Sequence, residues 1–157
     1  MEYLKRYYNI VEECIVRLGV DPNTCREPDK EGQWTLRKGS AQVWVDVFHS
    51  ERENRAYYQV MSPIMTLPEK SQCEFYREVL EINDQLFGVA FTIYKDRLWL
   101  KVIREADGLD VDEAFNMLTR IGNYGDKYDD ILIQKYSDAQ SVRGDETIAP
   151  GPPPSQN

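Results

Sequence analysis

Between Gly88 and Arg104 (GVAFTIYKDRLWLKVIR) apolar residues alternate with period two on both sides of a polar break at Lys95-Asp96, which predicts a β-hairpin. Val89, Phe91 and Ile93 share one side with Leu98, Leu100 and Val102 of the second arm, and this side is assigned to the core. The other side mixes Ala90, Thr92 and Tyr94 with Trp99, Lys101 and Ile103. A face of that composition is half-solvated or covered by something outside the hairpin.

The rest of the chain is organised around this hairpin. Leu4, Tyr8, Val11, Ile15 and Leu18 recur at helical spacing, predicting a helix from about Glu2 to Leu18 that Gly19 and Asp21-Pro22 terminate. The turn-rich segment Asp21 to Gly32 reads as a loop. Trp34 and Leu36, then Val43, Val45 and Val47 against Trp44, Asp46 and Phe48, predict a second hairpin broken at Lys38-Gly39-Ser40. A third strand, AYYQVMS, is expected to end at Pro63, with Ile64 to Leu67 crossing the core edge between two prolines. Ser71 with Glu74 forms a capping-box pattern opening a helix whose face carries Phe75, Val79, Ile82 and Leu86, with Tyr76, Leu80, Asn83 and Phe87 alongside. Asp110 with Glu113 opens the last helix, in which Gly122 and Gly125 predict a kink or break near Asn123. The order is α-β-β-β-α-β-β-α without βαβ alternation, which predicts an α+β fold, an antiparallel sheet with helices packed on it. Residues 1–136 are expected to form a single domain, and 137–157, without a periodic apolar face and rich in proline, a disordered tail.

Charge narrows the partners. With 19 Lys and Arg against 27 Asp and Glu, the net charge is −8, a field that repels nucleic acid and anionic membranes. The short runs Lys5-Arg6 and Arg52 to Arg55 read as solvated surface. Cys14, Cys25 and Cys73 stand at unrelated spacings with His49 as the single histidine, so no zinc site is expected and the thiols read as reduced. The amphipathic N-terminal run has no signal-like apolar stretch and no segment is long enough to span a bilayer, which predicts a cytoplasmic protein.

Catalytic chemistry finds no foothold. The acidic run Asp107, Asp110, Asp112 and Glu113 has a sufficient role at a helix N-terminus, and its register fails as a calcium loop. No GxSxG, P-loop or GxGxxG occurs, and His49 has no nucleophile near it in sequence. A noncatalytic protein without cofactor or metal is therefore expected. If Val43, Val45 and Val47 face the helices, then Trp44, Phe48, Tyr57, Met61 and Trp99 gather on the opposite sheet face as an aromatic surface for binding protein. A small-ligand-sensing regulatory domain is the competing reading, and it requires an enclosed pocket between sheet and helices.

Residues Phe75 to Leu132 resemble the YbjN family, which has the fold of the type III secretion chaperones. The matching features are the helix ending EINDQLFG with Asn83 near its last turn, Phe91 to Tyr94, a tight polar turn, Leu98 to Val102, and the final helix opened by DVDEAF. The family commonly has Asp-Gly in that turn, whereas this chain has Lys95-Asp96-Arg97. The resemblance implies a noncatalytic domain that holds a client protein or peptide segment on its surface, and a homodimer built through the second helix. Phe75, Val79 and Ile82 are the residues expected at that dimer surface.

Overall fold

The computed structural model describes residues 2–137. After a 3-10 turn at Glu2–Leu4, α1 (Lys5–Arg17) is followed by β1 (Gln33–Lys38), β2 (Ala41–Ser50) and β3 (Arg55–Thr66). Then come α2 (Gln72–Gln85), β4 (Ala90–Tyr94), β5 (Arg97–Glu105) and α3 (Val111–Tyr136). The strands form one antiparallel sheet in the order β1-β2-β3-β5-β4, so the element order and the α+β class are as the sequence predicts. The expected tail lies outside the described residues.

Alternation decides which face is core. Trp34, Val45, Val60 and Val102 form one cross-strand row on the inner face; Leu98, Leu100 and Phe91 extend this apolar surface toward β4. All three helices pack on this side in a single apolar cluster. α3 lies across β2 and β3, α1 packs beside α3, and α2 covers β4. In α1 and the turn before it the buried set is Leu4, Tyr7, Val11, Cys14 and Ile15, whereas Leu18 is exposed. Tyr58 is fully buried and donates its hydroxyl proton to the Ala114 carbonyl (3.1 Å), tying the centre of β3 to the first turn of α3. Asp110 caps that helix by accepting from the Glu113 amide (2.8 Å), as its sequence pattern predicts.

Three local expectations are corrected. β3 does not end at Pro63: it runs to Thr66, and a register shift between Pro63 and Met65 absorbs the missing N–H as an irregularity in the ladder with β5. Ile64 and Met65 are thereby buried strand residues. Ser71 makes no capping-box bond, because its φ of 55° places it in the left-handed region and its side chain accepts nothing from the first turn.

The third correction concerns α3, which is unbroken through Gly122 and Gly125. Both glycines are buried against the sheet. A Cβ at Gly122 would stand 3.3 Å from the Lys38 side chain, and one at Gly125 would stand 3.0 Å from Ser62 Oγ and 3.2 Å from Ala41 Cβ. The glycines therefore set the helix-to-sheet distance. The same seam is latched by the β1–β2 turn: the Ser40 amide donates to Asp126 (2.9 Å) and the Ser40 hydroxyl to Asp129 (2.7 Å). Gly125→Leu is expected to lose about 1–3 kcal/mol in urea unfolding, despite its gain in helix propensity, because the side chain has no volume to enter. Gly125→Ala should cost less.

Candidate functional site

The sheet face turned away from the helices carries a second, separate cluster. Trp44 and Met61 are cross-strand partners, and Trp99 lies opposite Pro63 on one side and Thr92 on the other. The Trp44 and Trp99 rings meet at 5.1 Å between centroids, with Tyr94 packed against them. No helix residue joins this cluster. Its three core members are nevertheless buried, because they cover one another, and neither indole N–H has an acceptor among the described residues. Beside them Phe48 and Tyr57 stack at 5.9 Å, half-buried, and Ile103 is exposed. The five residues predicted for binding thus share one face, but they divide into a closed platform (Trp44, Met61, Trp99) and an accessible pair (Phe48, Tyr57).

A carboxylate sits in the middle of this face. Asp46 is only 5% exposed and accepts from Gln59 Nε2 (3.3 Å) across the β2–β3 ladder. Burial pushes its carboxyl up to about 6, against the opposing pull of the Gln59 hydrogen bond and of the Lys30 and Lys101 charges. The half-buried Lys101 is shifted down by the same desolvation.

The residues expected at a dimer surface lie elsewhere. Phe75 is fully buried, edge-on to the Tyr76 and Tyr136 rings, and Val79 is buried with it; Ile82 is half-buried against the same core. Glu78 holds this helix to α3 through Tyr136 and Lys135, with the Lys135 ammonium 2.6 Å away. The solvent-facing apolar residues near them are Leu80 (67% exposed), Phe87 (72%) and Ile93 (51%). Asn83 instead acts on the sheet edge, where its side-chain oxygen accepts from the Phe91 amide (2.7 Å) and its nitrogen donates to the Phe91 carbonyl (3.3 Å). One amide side chain thus stands in for a neighbouring strand on the outer edge of β4.

Sequence reasoning missed a groove of about 510 Å³ at the opposite edge of the sheet. Leu36, Val43 and Leu118 line it, with Leu18, Val20 and Cys25 from the end of α1 and the following loop, and Arg37 and Lys38 from β1. Its components come from four separated stretches, so no window of sequence signals it. Among the described residues no group of His, Cys, Asp and Glu is placed to hold a metal, and no helix is long and apolar enough to cross a membrane.

The family resemblance rests on the order of elements, on Asn83 near the end of α2, on the β4–β5 hairpin with its tight polar turn and on the DVDEAF opening of α3, and the structure places each of these as the sequence predicts. The family model for T3SS (YopN, CesT) and YbjN peptide-binding chaperone 1 matches residues 6–139. The chain belongs to this family. Among the solved structures that share its fold are two complexes. The crystal structure of the ExsC–ExsE complex contains a chain 14% identical, with a TM-score of 0.62 over 84% of this chain and 97% of that one. A chain of the heterodimeric ExoU–SpcU complex from the type III secretion system of Pseudomonas aeruginosa is 11% identical, with a TM-score of 0.57 over 81% and 98%. No curated protein matches. The family match runs from α1 through the last turn of α3, so the T3SS chaperone-like fold accounts for the whole described domain.

Proposed function

We propose that this chain is a cytoplasmic, noncatalytic chaperone that holds a segment of a partner protein and works as a homodimer. The observation that carries the reading is the match of the peptide-binding chaperone family across the entire folded domain. The two solved structures named above are themselves two-protein complexes, which agrees with a protein partner. The segment lies on the outer sheet face, with Phe48, Tyr57 and Ile103 as its contacts and Trp44, Met61 and Trp99 as a preformed platform beside them. A rigid aromatic platform suits this role because it loses little conformational entropy when covered. The second copy meets Leu80 on α2 and Phe87 just after it at the surface, with Phe75, Val79 and Ile82 supporting that surface from inside.

The test is capture of a partner from the native cell by the tagged protein, identified by mass spectrometry, together with light scattering of the purified chain. Phe48→Ser/Tyr57→Ser should reduce recovery of that partner at least tenfold while leaving the circular dichroism unchanged, and Leu80→Glu/Phe87→Glu should give the monomer mass. Undiminished capture by the first variant, or a monomer for the unmodified protein at high concentration, would sink the corresponding half of the reading.

A further inference from the structure

A polar stripe crosses the middle of the outer sheet face and marks what a partner must bring to it. Gln33, Asp46, Gln59 and Ile103 lie in one cross-strand row from β1 to β5. Phe48 and Tyr57 stand in the next outward-facing row on one side of it, and Trp44 and Met61 in the next on the other. An otherwise aromatic and apolar surface is thus interrupted midway by a carboxylate. The two apolar rows are four residues apart along β2, about 13 Å at the rise of a strand, with Asp46 halfway between them.

Asp46 is short of donors in this position. Among the described residues its hydrogen-bond partner is Gln59, at a long 3.3 Å, and the same amide nitrogen also contacts Met61 Sδ (3.2 Å). A buried carboxylate has room for several donors and costs stability while it lacks them. Three charged groups act on it: Glu27 and Lys30 from the loop before β1, and Lys101 from β5. β1 and β3 present the neutral Gln33 and Gln59. Among the described residues Lys101 enters no ion pair. The helices pack on the other side of the sheet, so what is exposed of Asp46 opens outward.

We propose that the outer face selects partner segments that carry a lysine or arginine between two apolar side chains, the cation meeting Asp46. An extended segment laid along β2 presents side chains i, i+2 and i+4 on one side at the spacing of these rows. Side chain i covers Phe48 and Tyr57, i+2 reaches Asp46, and i+4 rests on Trp44 and Met61. The contact is made by side chains on the face and takes no backbone pairing at a sheet edge. A neutral residue at i+2 is disfavoured because it covers Asp46 without supplying a donor. The net charge of −8 draws the same basic segments from a distance. This inference rests on the reading that a partner segment lies on this face, and it adds the chemistry by which the face chooses.

Fluorescence anisotropy on the full-length protein tests it with two fluorescein-labelled peptides, Ser-Ile-Ser-Lys-Ser-Ile-Ser and its counterpart with norleucine in place of lysine. At pH 7.5 the lysine peptide should bind about tenfold more tightly. Burial lifts the Asp46 carboxyl to about 6, so the negative charge is lost as pH falls, and at pH 5 the preference should shrink to about twofold or less. Asp46→Asn, which removes a buried charge and keeps an acceptor for Gln59, should bind the two peptides alike at both pH values. Equal affinities in the unmodified protein, no measurable binding of the lysine peptide, or a preference that survives Asp46→Asn would overturn the proposal. So would a change of oligomeric mass in Phe48→Ser/Tyr57→Ser, which gives the face to a second copy. A tenfold gain in lysine-peptide affinity on Arg143→Gln would overturn it as well, giving the face to the chain's own C-terminal residues. If lysine selection fails while partner capture still depends on Phe48 and Tyr57, the charge rule alone has failed; if capture is also indifferent to that pair, the outer-face reading falls with it.

Discussion

Phe75→Ala is expected to destabilise the domain by about 3–5 kcal/mol, the cost of removing a buried phenylalanine and leaving its cavity. The side chain is fully buried, and it forms edge contacts with Tyr76 (5.5 Å) and Tyr136 (5.1 Å), so its loss loosens α2 from the last turn of α3. For a domain of this size the melting temperature should fall by roughly 10–20 °C. The same measurement separates a core residue from an interface residue. A core defect lowers the melting temperature equally at every protein concentration, whereas a defect in a dimer contact makes the loss concentration-dependent. Thermal unfolding at two concentrations a hundredfold apart should show equal losses; unequal losses would place Phe75 in the contact between copies.

Asp46→Asn is expected to stabilise the protein, and only above mildly acidic pH. Burial raises the Asp46 carboxyl from its ordinary value to about 6, so between about pH 4 and pH 6 the folded state holds a proton that the unfolded chain has released. Stability therefore falls as pH rises through that window and stays low above it. Asparagine has no charge to desolvate, and its oxygen can still accept from Gln59. With the carboxyl pushed up to about 6, the variant should exceed the parent by about 2–3 kcal/mol at pH 7 and match it near pH 4. Urea unfolding at the two pH values reads the difference, and an equal gain at both would show that the charge is not its cause.

Both hairpins are legible in the sequence because each arm alternates over several residues and one side is unbroken in its hydrophobicity. Even the closed turn at Lys95 is, although glycine is absent and Lys95 itself adopts a φ of 54°. What is not legible depends on partners distant in sequence. Gly122 and Gly125 register locally only as a propensity cost, while their contacts are with Lys38, Ala41 and Ser62 on the sheet. Pro63 reads as a strand terminator until the opposite strand is in place to accommodate the register shift. Trp44 and Trp99 look like exposed aromatics because no single stretch contains both, and it is the strand order β2-β3-β5 that lets each cover the other. In α2 the apolar face is visible, but its division into buried Phe75 and exposed Leu80 follows from where α3 lies.

The amide of Asn83 on Phe91 bears on how copies of this protein can associate. Joining sheets head to tail into a filament needs two complementary bare edges on every copy. At β4 the Phe91 backbone is already engaged, and only the stretch around Ile93 remains of a five-residue strand. The β4 margin is thereby largely closed to a further strand. A sheet with one margin occupied by its own side chain lacks the second bare edge that the first unit of a fibre needs.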